Sequence, residues 1–306
     1  MKKVLVATDK PFAPEAKNKI EKVIRKAGYQ FTTLESYTSK SEFIAAVADV
    51  DAIIVRSDIV DAEVLEAAKN AKIVVRAGSG YDNVDCQAAR ERGIVVMNTP
   101  GQNANAVAEL AIGLAIYGIR EFFSGKSGGE LRGRTLGLHG FGYVARNVFR
   151  IARALGMKVI VFTRYSKSAA AAIGLKVTDS LEELYRKSDV VSIHVPARGE
   201  HLRSVSYSVL QELKKGAIVI NTARKEVVNE ADLCRIMEER PDIRYLSDIE
   251  PDCKAVFAEK FSGRYYFTPK KMGAQTAEAN TNAGVAAAEQ IVAFFEKGNV
   301  EFQVNK

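Results

Sequence analysis

The chain has 306 residues, of which 47% are hydrophobic and 26% are charged, so it is long enough for two domains that each bury a core. Its formal net charge of +7 comes from basic residues scattered among acidic ones, which argues against a nucleic-acid-binding surface and fits a small anionic ligand. No apolar run reaches the ~18 residues that a membrane-spanning helix needs.

The N-terminus and the cysteines both indicate a cytoplasmic protein. The opening MKKVLVATDK has only a short apolar run with charges directly after it, which is unlike a signal peptide and predicts a first strand. The three cysteines, Cys86, Cys234 and Cys253, form no CxxC pair. An odd, unpaired set of this kind is typical of reduced thiols in the cytosol, and we predict no metal site.

The first third of the chain alternates between short apolar strands and helices. The predicted strands are Lys3–Ala7, Gln30–Leu34, Ala52–Val55, Ile73–Val75 and Val95–Met97. Helical spacing is found over Glu15–Ala27 and Ser39–Ala48, and in stretches that end at Asn70 and Gly93. Continuous apolar strands alternating with helices predict a parallel sheet that is covered on both faces.

A long Ala- and Leu-rich helix, Asn103–Phe123, then leads through a Gly-rich polar connector into a second alternation. The strands predicted there are Thr135–Leu138, Lys158–Phe162, Val190–His194, Ala217–Asn221, Arg244–Ser247 and Tyr265–Thr268, and a final long helix covers Thr276–Phe295. We therefore predict an α/β protein with two Rossmann-like or flavodoxin-like parallel-sheet domains and a cleft between them. The expected boundaries are 1–98 plus 281–306 for a substrate-binding domain and 99–280 for a dinucleotide-binding domain.

The strongest local motif is TLGLHGFGYVARNVFRIARALG, which starts at Thr135. A predicted strand enters Gly140-x-Gly142-x-x-Ala145, and a predicted helix follows. Gly140 permits a tight turn, Gly142 lets the backbone approach a pyrophosphate, and the small Ala145 lets helix and strand pack closely. The motif predicts dinucleotide binding at the helix N-terminus, with a purely structural Gly-rich turn as the alternative.

The second strand of this motif ends without the acidic residue that usually binds the adenosine ribose hydroxyls. Thr163 occupies the expected position and Arg164 follows it. Without a carboxylate there is no repulsion against a 2′-phosphate, and a guanidinium could pair with that phosphate. The cofactor is thus predicted to be NAD with NADP also open, the alternative being that Arg164 stacks on adenine or faces water.

Four further segments converge on one family. They are RAGSGYDNVD from Arg76, NTPGQNANAVAEL from Asn98, SDVVSIHVP from Ser188 and VINTARKEVVNEADL from Val219. With them, the whole chain resembles the D-2-hydroxyacid dehydrogenases, and within them most closely the short phosphoglycerate dehydrogenases. The resemblance implies that the backbone amides of Ser79 and Gly80 meet the substrate carboxylate and that Arg56 and Asn103 also contact the substrate. From the residues alone, Arg56 could equally form a surface ion pair and Asn103 a helix N-cap.

The resemblance also implies the cofactor contacts and the chemistry. The implied cofactor-binding residues are Val107, Gly140, Gly142, Tyr143, Val144, Ala145, Thr163, Arg164, His194, Val195, Pro196, Thr222, Ala223, Asp248 and Gly273. In the family an arginine pairs with the substrate, a histidine moves a proton, and a glutamate before a proline orients that histidine. Arg224 matches the arginine and Glu250 the glutamate, with a shortened spacing between Asp248 and Glu250.

The family histidine is missing. The chain's histidines are His139, His194 and His201, and none follows Glu250. The family's Thr-Pro-His-Ile-Gly-Ala corresponds to TPKKMGA, which has one residue more. Counting from Gly273 puts Lys271 in the histidine's place, and counting from Pro269 puts Lys270 there. Neighbouring side chains of an extended segment point to opposite sides, so only one lysine enters the cleft; we favour Lys271, and the alternative is that both are surface charges.

The resemblance implies NAD(P)-dependent oxidation of D-3-phosphoglycerate to 3-phosphohydroxypyruvate in serine biosynthesis. An NADPH-dependent glyoxylate or hydroxypyruvate reductase and a non-catalytic NAD(H)-sensing binding protein are the alternatives. The resemblance implies a homodimer. Because GNVEFQVNK resembles the end of the catalytic core, we expect no C-terminal regulatory domain and no serine feedback through one.

A lysine base predicts a characteristic pH profile. The ordinary pKa of lysine is ~10.4, against ~6.5 for histidine; burial and Arg224 would lower the pKa of the lysine, whereas Glu250 would raise it. With a pKa near ~9, roughly one molecule in a hundred would be competent at neutral pH, a cost of about 2.7 kcal/mol in the oxidation direction. We expect the oxidation rate to climb to about pH 9 or beyond. A steady-state profile that is flat between roughly pH 6 and 9 would contradict a lysine base.

Overall fold

The computed structural model describes residues 1–164 and 167–306 of the chain. They form two compact units, one made of Met1–Asn103 with Gln275–Lys306 and the other of Ala104–Ala274. The transitions lie after Asn103 and after Ala274, where the sequence-based boundaries are 98 and 280. Across the described residues, no helix combines the length and the apolar character that crossing a bilayer demands.

Strands and helices alternate along the chain. The strands are β1 (Lys3–Thr8), β2 (Gln30–Glu35), β3 (Ala52–Val55), β4 (Ile73–Arg76), β5 (Val95–Asn98), β6 (Thr135–His139), β7 (Lys158–Phe162), β8 (Lys176–Val177), β9 (Val190–Ile193), β10 (Ile218–Asn221), β11 (Arg244–Ser247) and β12 (Tyr265–Phe267). The helices are α1 (Pro14–Lys26), α2 (Lys40–Val47), α3 (Ala62–Ala67), α4 (Cys86–Glu91), α5 (Ala104–Ile119), α6 (Tyr143–Ala154), α7 (Lys167–Ala172), α8 (Leu181–Lys187), α9 (Tyr207–Leu210), α10 (Glu230–Glu239), α11 (Lys254–Lys260) and α12 (Ala277–Lys297).

The first unit is built on a five-stranded sheet in the order β2-β1-β3-β4-β5, with parallel pairing throughout. Successive residues of a strand face opposite sides of the sheet. In β1, Leu5 and Ala7 join one buried cluster, whereas Val4 and Val6 join another. Helices therefore cover both faces, and α1 packs with α12 on one of them.

The second unit is built on a seven-stranded parallel sheet in the order β12-β11-β10-β9-β6-β7-β8. Its faces are again divided between two cores, with Leu136 and Leu138 in one and Val191 and Ile193 in the other. The strand order reverses at β6, and ligands of such sheets bind outside the carboxyl ends of the strands at the reversal. The predicted α/β class with two parallel sheets is confirmed.

Two local predictions differ from the structure. The long helix was expected to reach Phe123, but α5 ends at Ile119. Glu121, Phe122 and Phe123 follow in a short 3-10 turn with φ of 54°, 57° and 54°, a left-handed conformation that cannot continue a right-handed helix. The rings of Phe122 and Phe123 pack edge-on against Tyr117, which offsets the backbone strain. The strand β8 was missed because two residues carry no periodic signal.

Close packing of β6 against α8 makes Gly137 a sensitive position. A Cβ at Gly137 would lie 2.1 Å from Oγ and 3.0 Å from Cβ of Ser188, whose buried hydroxyl donates to the carbonyl of Leu184. We expect Gly137→Ala to lower the free energy of unfolding by about 1–3 kcal/mol, measured by urea denaturation. Gly113→Ala is the control, because Gly113 is exposed in α5 with open space around it. This substitution should raise the free energy of unfolding by about 1 kcal/mol. Equal stability of Gly137→Ala and wild type would rule out the tight strand–helix contact.

Candidate active site

Six strands of the second unit end in one transverse row. The pairing register puts one residue of each strand in this row, namely His139, Phe162, Ile193, Asn221, Ser247 and Phe267. The residues directly after the row are Gly140, Thr163, His194, Thr222, Asp248 and Thr268. All of them except Thr268 belong to the set that the family resemblance implies for the cofactor, so the sheet brings these positions to a single edge.

The glycine loop after β6 has the geometry of an anion cradle. Gly140 is buried with φ of +100°, and a Cβ there would lie 2.8 Å from the carbonyl oxygen of His194. Gly142 caps α6 without a side-chain hydrogen bond, and a Cβ on it would meet nothing within 4 Å. The first turn of α6 contains no acidic residue. Its free amides and the helix dipole therefore suit a pyrophosphate, and the residues present fit a dinucleotide.

The other predicted residues around this loop are placed as follows. Ala145 is fully buried where α6 meets the sheet, Val144 is half-buried, and the ring of Tyr143 is 57% exposed. In the segment after β9, Val195 is buried beside Gly140, since its Cγ1 would lie 2.9 Å from a Cβ there. Pro196 is exposed. The glycine loop is thus packed against buried residues on one side and is exposed to solvent on the other.

Arg164 projects from the carboxyl end of β7. Its side chain is 86% exposed, and Nη1 lies 3.7 Å from Oε1 of Glu200, which is 70% exposed. Thr163 is half-buried beside it. No carboxylate replaces the missing ribose ligand at Thr163 itself, but Glu200 brings a negative charge close to the guanidinium.

Arg224 and Lys271 share one hydrogen-bond acceptor. Nη1 of Arg224 donates to the carbonyl of Ala223 at 2.9 Å, and Nζ of Lys271 donates to the same oxygen at 3.3 Å. Arg224 is half-buried, and Lys271 is exposed. Lys270 is also exposed, and its carbonyl accepts from the hydroxyl of Thr268 at 2.8 Å. Of the two candidate lysines, Lys271 is therefore the one that the structure brings to Arg224.

The loop that carries the lysines is held by Asp248. This carboxylate is fully buried after β11 and accepts from the amides of Met272 at 2.6 Å and Gly273 at 2.9 Å. A Cβ on Gly273 would lie 2.7 Å from Oδ2 of Asp248 and 3.3 Å from Cγ2 of Val107. Of the predicted cofactor residues, Gly273 therefore lies next to both Asp248 and Val107.

Glu250 makes a different contact from the one expected of it. Its carboxylate is 43% exposed and pairs with Nζ of Lys254 at 2.6 Å. Glu250 lies in the segment before α11, and Lys254 is the first residue of that helix. Nearby, burial and then the thiol of Cys234 raise the pKa of the Cys253 thiol, which disfavours its thiolate and makes Cys253 a passive residue.

In the first unit, Arg56 lies at the carboxyl end of β3. Its guanidinium donates to the carbonyls of Lys10 and Pro11 and, at 2.9 Å, to Oδ1 of Asn280. It also lies over the ring of Phe12 at 5.0 Å. Burial lowers the pKa of Arg56, an effect that nearby acidic residues oppose, but an arginine stays protonated at neutral pH.

The remaining predicted substrate residues of the first unit form a small cluster. The hydroxyl of Ser79 donates to Oδ1 of Asn103 at 3.1 Å, and the side-chain amide of Asn98 donates to the carbonyl of Ser79 at 2.6 Å. Gly80 follows in the same half-buried loop. The alternative of Asn103 as an N-cap competes with this contact for the same oxygen.

Two residues that sequence reasoning missed hold these segments in place. Asn221 is buried, and its amide donates to the carbonyl of Arg224 at 3.0 Å while Oδ1 accepts from the amide of Ala223 at 3.0 Å. In the first unit, the buried carboxylate of Asp58 accepts from the amides of Asp9 and Arg56. Asn221 ends an apolar strand and Asp58 follows one. An Asn or Asp at such a position indicates a turn in which its side chain accepts hydrogen bonds from nearby backbone amides.

Comparison with known proteins identifies the family. The model of the D-isomer specific 2-hydroxyacid dehydrogenase catalytic domain matches residues 4–305. The chain belongs to the D-isomer specific 2-hydroxyacid dehydrogenases. The family inferred from the sequence is thereby confirmed.

Three relatives of this dehydrogenase are informative. A crystal structure titled as cofactor (NAD+) bound 3-phosphoglycerate dehydrogenase in Entamoeba histolytica is 44% identical, with a TM-score of 0.88 and coverage of 100% of this chain and 99% of that chain. D-3-phosphoglycerate dehydrogenase of Archaeoglobus fulgidus is 36% identical, covering 95% of this chain and 56% of the relative. Hydroxypyruvate reductase of Thermotoga maritima is 34% identical, and the match covers 83% of this chain and 88% of the relative. The chain spans about half the length of the curated phosphoglycerate dehydrogenases it matches.

Two histidines of the dehydrogenase's second unit are neutral at physiological pH. Burial, and secondarily the charge of His201, lowers the pKa of His139 to about 4. Burial, and secondarily His139, lowers the pKa of His194 to about 3, and Nε2 of His194 lies 2.8 Å from Oγ of Ser192. Among the described residues, Nδ1 of His139 has no hydrogen-bond partner.

The depressed pKa of His139 predicts acid sensitivity. Below pH ~6.5 the unfolded chain takes up a proton here that the folded chain refuses until the pH nears the folded value, so stability falls as pH drops through this window. His139→Leu removes that uptake. We expect urea denaturation to show an advantage of the variant over wild type that grows as pH falls from 7 to 4.5, by up to about 1.4 kcal/mol per pH unit. A gap between the two proteins that stays constant over this range would mean that His139 is not held neutral.

Proposed function

We propose that this chain is an NAD-dependent dehydrogenase that oxidises D-3-phosphoglycerate to 3-phosphohydroxypyruvate, the reaction predicted for serine biosynthesis. The observation that carries the proposal is the shared acceptor of Arg224 and Lys271, because it joins a carboxylate-binding guanidinium and a proton-carrying amine at one point. The 44% identity along the whole chain to a protein titled NAD+-bound 3-phosphoglycerate dehydrogenase supports the same substrate and cofactor.

In this proposal the amides at the N-terminus of α6 hold the cofactor pyrophosphate. Gly140 and Gly142 let the backbone approach it, and a bound nicotinamide would supply hydride transfer at the substrate carbon. Thr163 presents no carboxylate to the ribose, so a 2′-phosphate is tolerated. Glu200 beside Arg164 partly offsets the positive charge that would favour that phosphate. We therefore propose NAD as the cofactor, with NADP as a weaker substitute.

The chemical step is assigned to side chains of the second unit. The guanidinium of Arg224 pairs with the substrate carboxylate and polarises the C2 oxygen. Nζ of Lys271 takes the hydroxyl proton during oxidation and returns it during reduction. Glu250 can orient Lys271 only after its ion pair with Lys254 opens, which costs little because exposed pairs contribute ~0–1 kcal/mol.

The first unit is proposed to bind the anionic ends of the substrate. The three hydrogen bonds that the structure gives the Arg56 guanidinium go to neutral oxygens, so these contacts leave its charge available for an anion. Amides of Ser79 and Gly80 are assigned to the substrate carboxylate, with Asn103 beside them. A substrate with a phosphate as well as a carboxylate accounts for a further cation such as Arg56.

One other enzyme activity has specific support. Hydroxypyruvate reductase of Thermotoga maritima covers 83% of this chain at 34% identity, and Arg164 is compatible with NADPH. A cofactor-sensing protein without catalysis has less support, because sensing needs neither Arg224 nor an amine beside it.

A homodimer remains part of the proposal. The apolar side chains of Ile116 in α5 and Phe123 in the turn after it are 38% and 66% exposed, which suits a protein interface. Size-exclusion chromatography with light scattering tests it, and a monomer at micromolar concentration would argue against it.

The test of the function is a substrate panel on purified protein. Phosphohydroxypyruvate, hydroxypyruvate and glyoxylate are each reduced with NADH or NADPH while the absorbance of the reduced nicotinamide is followed. We expect the highest kcat/KM for phosphohydroxypyruvate with NADH. A higher value for hydroxypyruvate or glyoxylate with NADPH would favour the reductase, and cofactor binding without any turnover would favour the sensor.

The two neighbouring lysines provide a matched pair within the same assay. Lys271→Ala should lower kcat by about 10²–10⁴-fold, the usual contribution of a general acid or base. Lys270→Ala removes an equal charge from the adjacent position and should leave kcat nearly unchanged. The opposite ranking would move the proton to Lys270, and full activity of both variants would exclude a lysine acid or base.

A further inference from the structure

Both oxygens of the Asp248 carboxylate are engaged by one loop. Oδ1 accepts from the amide of Met272 at 2.6 Å, and Oδ2 accepts from the amide of Gly273 at 2.9 Å. The hydroxyl of Thr268 lies 3.2 Å from Oδ1. The carboxylate is fully buried, and hydrogen bonds between an ionised acceptor and backbone amides are among the stronger ones in proteins. These contacts therefore define the path of residues 268–273.

The fit of the loop onto the carboxylate is close. A single methyl group on Gly273 would come within 2.7 Å of Oδ2, nearer than real Cβ atoms approach an oxygen. The amide of Asp248 itself donates to the carbonyl of Asn221 at 3.0 Å, which ties the backbone of Asp248 to the end of β10. The anchor is thus rigid on the side of the sheet as well as on the side of the loop.

Backbone amides are held at both ends of the lysine loop. At its start, the amide of Thr268 donates to the carbonyl of Ser247 at 3.1 Å, continuing the pairing of β11 with β12. At its end, Met272 and Gly273 are held by Asp248. Only residues 269–271 span the interval, and Lys271 directly precedes the anchored Met272. Its Nζ then reaches the carbonyl of Ala223 beside Arg224.

We propose that Asp248 is the positioning residue that sets the register of the 268–273 loop and thereby directs Lys271, rather than Lys270, toward Arg224. The family resemblance implies a cofactor contact for Asp248, but the loop amides engage both of its oxygens. The catalytic part of this inference rests on the proposed role of Lys271 in proton transfer. The structural part, that the carboxylate anchors the loop, stands without it.

Hydrogen exchange tests the anchor directly. Asp248→Asn keeps the size of the side chain but turns one acceptor into an NH₂ donor facing an amide, so exchange in a peptide covering 268–274 should accelerate by about tenfold or more. Asp189→Asn is the matched control, since Asp189 accepts from the amide of Thr135 at 2.7 Å and from Lys214 at 3.2 Å elsewhere in the same unit. Unchanged exchange in Asp248→Asn, or equal acceleration in Asp189→Asn, would overturn the anchor. If Asp248→Asn does not fold, Gly273→Ala displaces the same carboxylate and must accelerate the same peptide.

A double-mutant cycle tests the catalytic consequence. Asp248→Asn should lower kcat for oxidation by about tenfold or more while the Kd for NAD+, measured by calorimetry, changes little. In the Lys271→Ala background the same substitution should have no further effect, because a positioning residue acts only through the group it positions. Multiplicative effects on kcat, or a loss of NAD+ affinity as large as the loss of rate, would overturn the proposal.

The two layers fail separately. Full activity of Lys271→Ala would remove the lysine from the proposed function, whereas the exchange rate of the 268–274 peptide decides the anchor whatever the activity is. If exchange is accelerated but the effects of the two substitutions on kcat multiply, Asp248 is a loop anchor and has no role in directing the proton-transferring amine.

Discussion

The parallel register of β10, β11 and β12 is the constraint from which the candidate site follows. Asn221 pairs with Ser247, and Ser247 pairs with Phe267, so the chain leaves all three strands at one line. The segments after that line contain Arg224, Glu250 and Lys271, which are far apart in sequence. Because parallel strands present their carboxyl ends at the same edge, no additional element is needed to collect them. A slip of one residue in either pairing would turn the following side chains to the other face of the sheet.

Electrostatics then explains what such an edge is suited to. Arg224 and Lys271 donate to one neutral carbonyl oxygen, so an anion bound at this point would be attracted by two positively charged groups. The N-terminus of α6, which has no side-chain cap, adds a second centre of positive potential at the same edge. Both features favour negatively charged ligands, in agreement with the proposed phosphorylated acid and dinucleotide. Part of the positive net charge of the chain is therefore placed at this edge of the sheet.

The sequence predicted what depends on local patterns and left open what depends on distant contacts. Among the described residues, apolar runs identified all strands but the two-residue β8. The spacing of Gly140, Gly142 and Ala145 predicted the candidate cradle. Gly140 and Ala145 occupy tight positions there, whereas a Cβ on Gly142 would have open space. The sequence favoured Lys271 over Lys270 only by counting from Gly273. The anchor that we propose for this choice, the carboxylate of Asp248, lies one strand–helix–strand crossover away in the chain, where local patterns do not reveal it. The pair of Glu250 with Lys254 was not predicted, because Glu250 lies before α11, where the four-residue spacing rule for helices does not apply. The end of α5 was not predicted either, because the left-handed turn after it is accompanied by the packing of Phe122 and Phe123 on the ring of Tyr117, which the propensities of the turn residues do not reveal.

A lysine in place of a histidine changes what the surrounding backbone must do. Imidazole is a rigid ring on two rotatable bonds, whereas the ammonium group of lysine ends a flexible four-carbon stem with considerable rotamer entropy. An amine therefore reaches further but is positioned less well, and the extra residue in TPKKMGA adds freedom to the loop as well. Anchoring the residue next to Lys271 through a buried carboxylate removes part of that freedom from the backbone, and residues 269–271 and the lysine side chain keep the rest. Precise placement matters because proton transfer requires hydrogen-bond contact with the reacting oxygen. The exchange of imidazole for amine and the tight fit of Gly273 on Asp248 are, on this view, two parts of one arrangement.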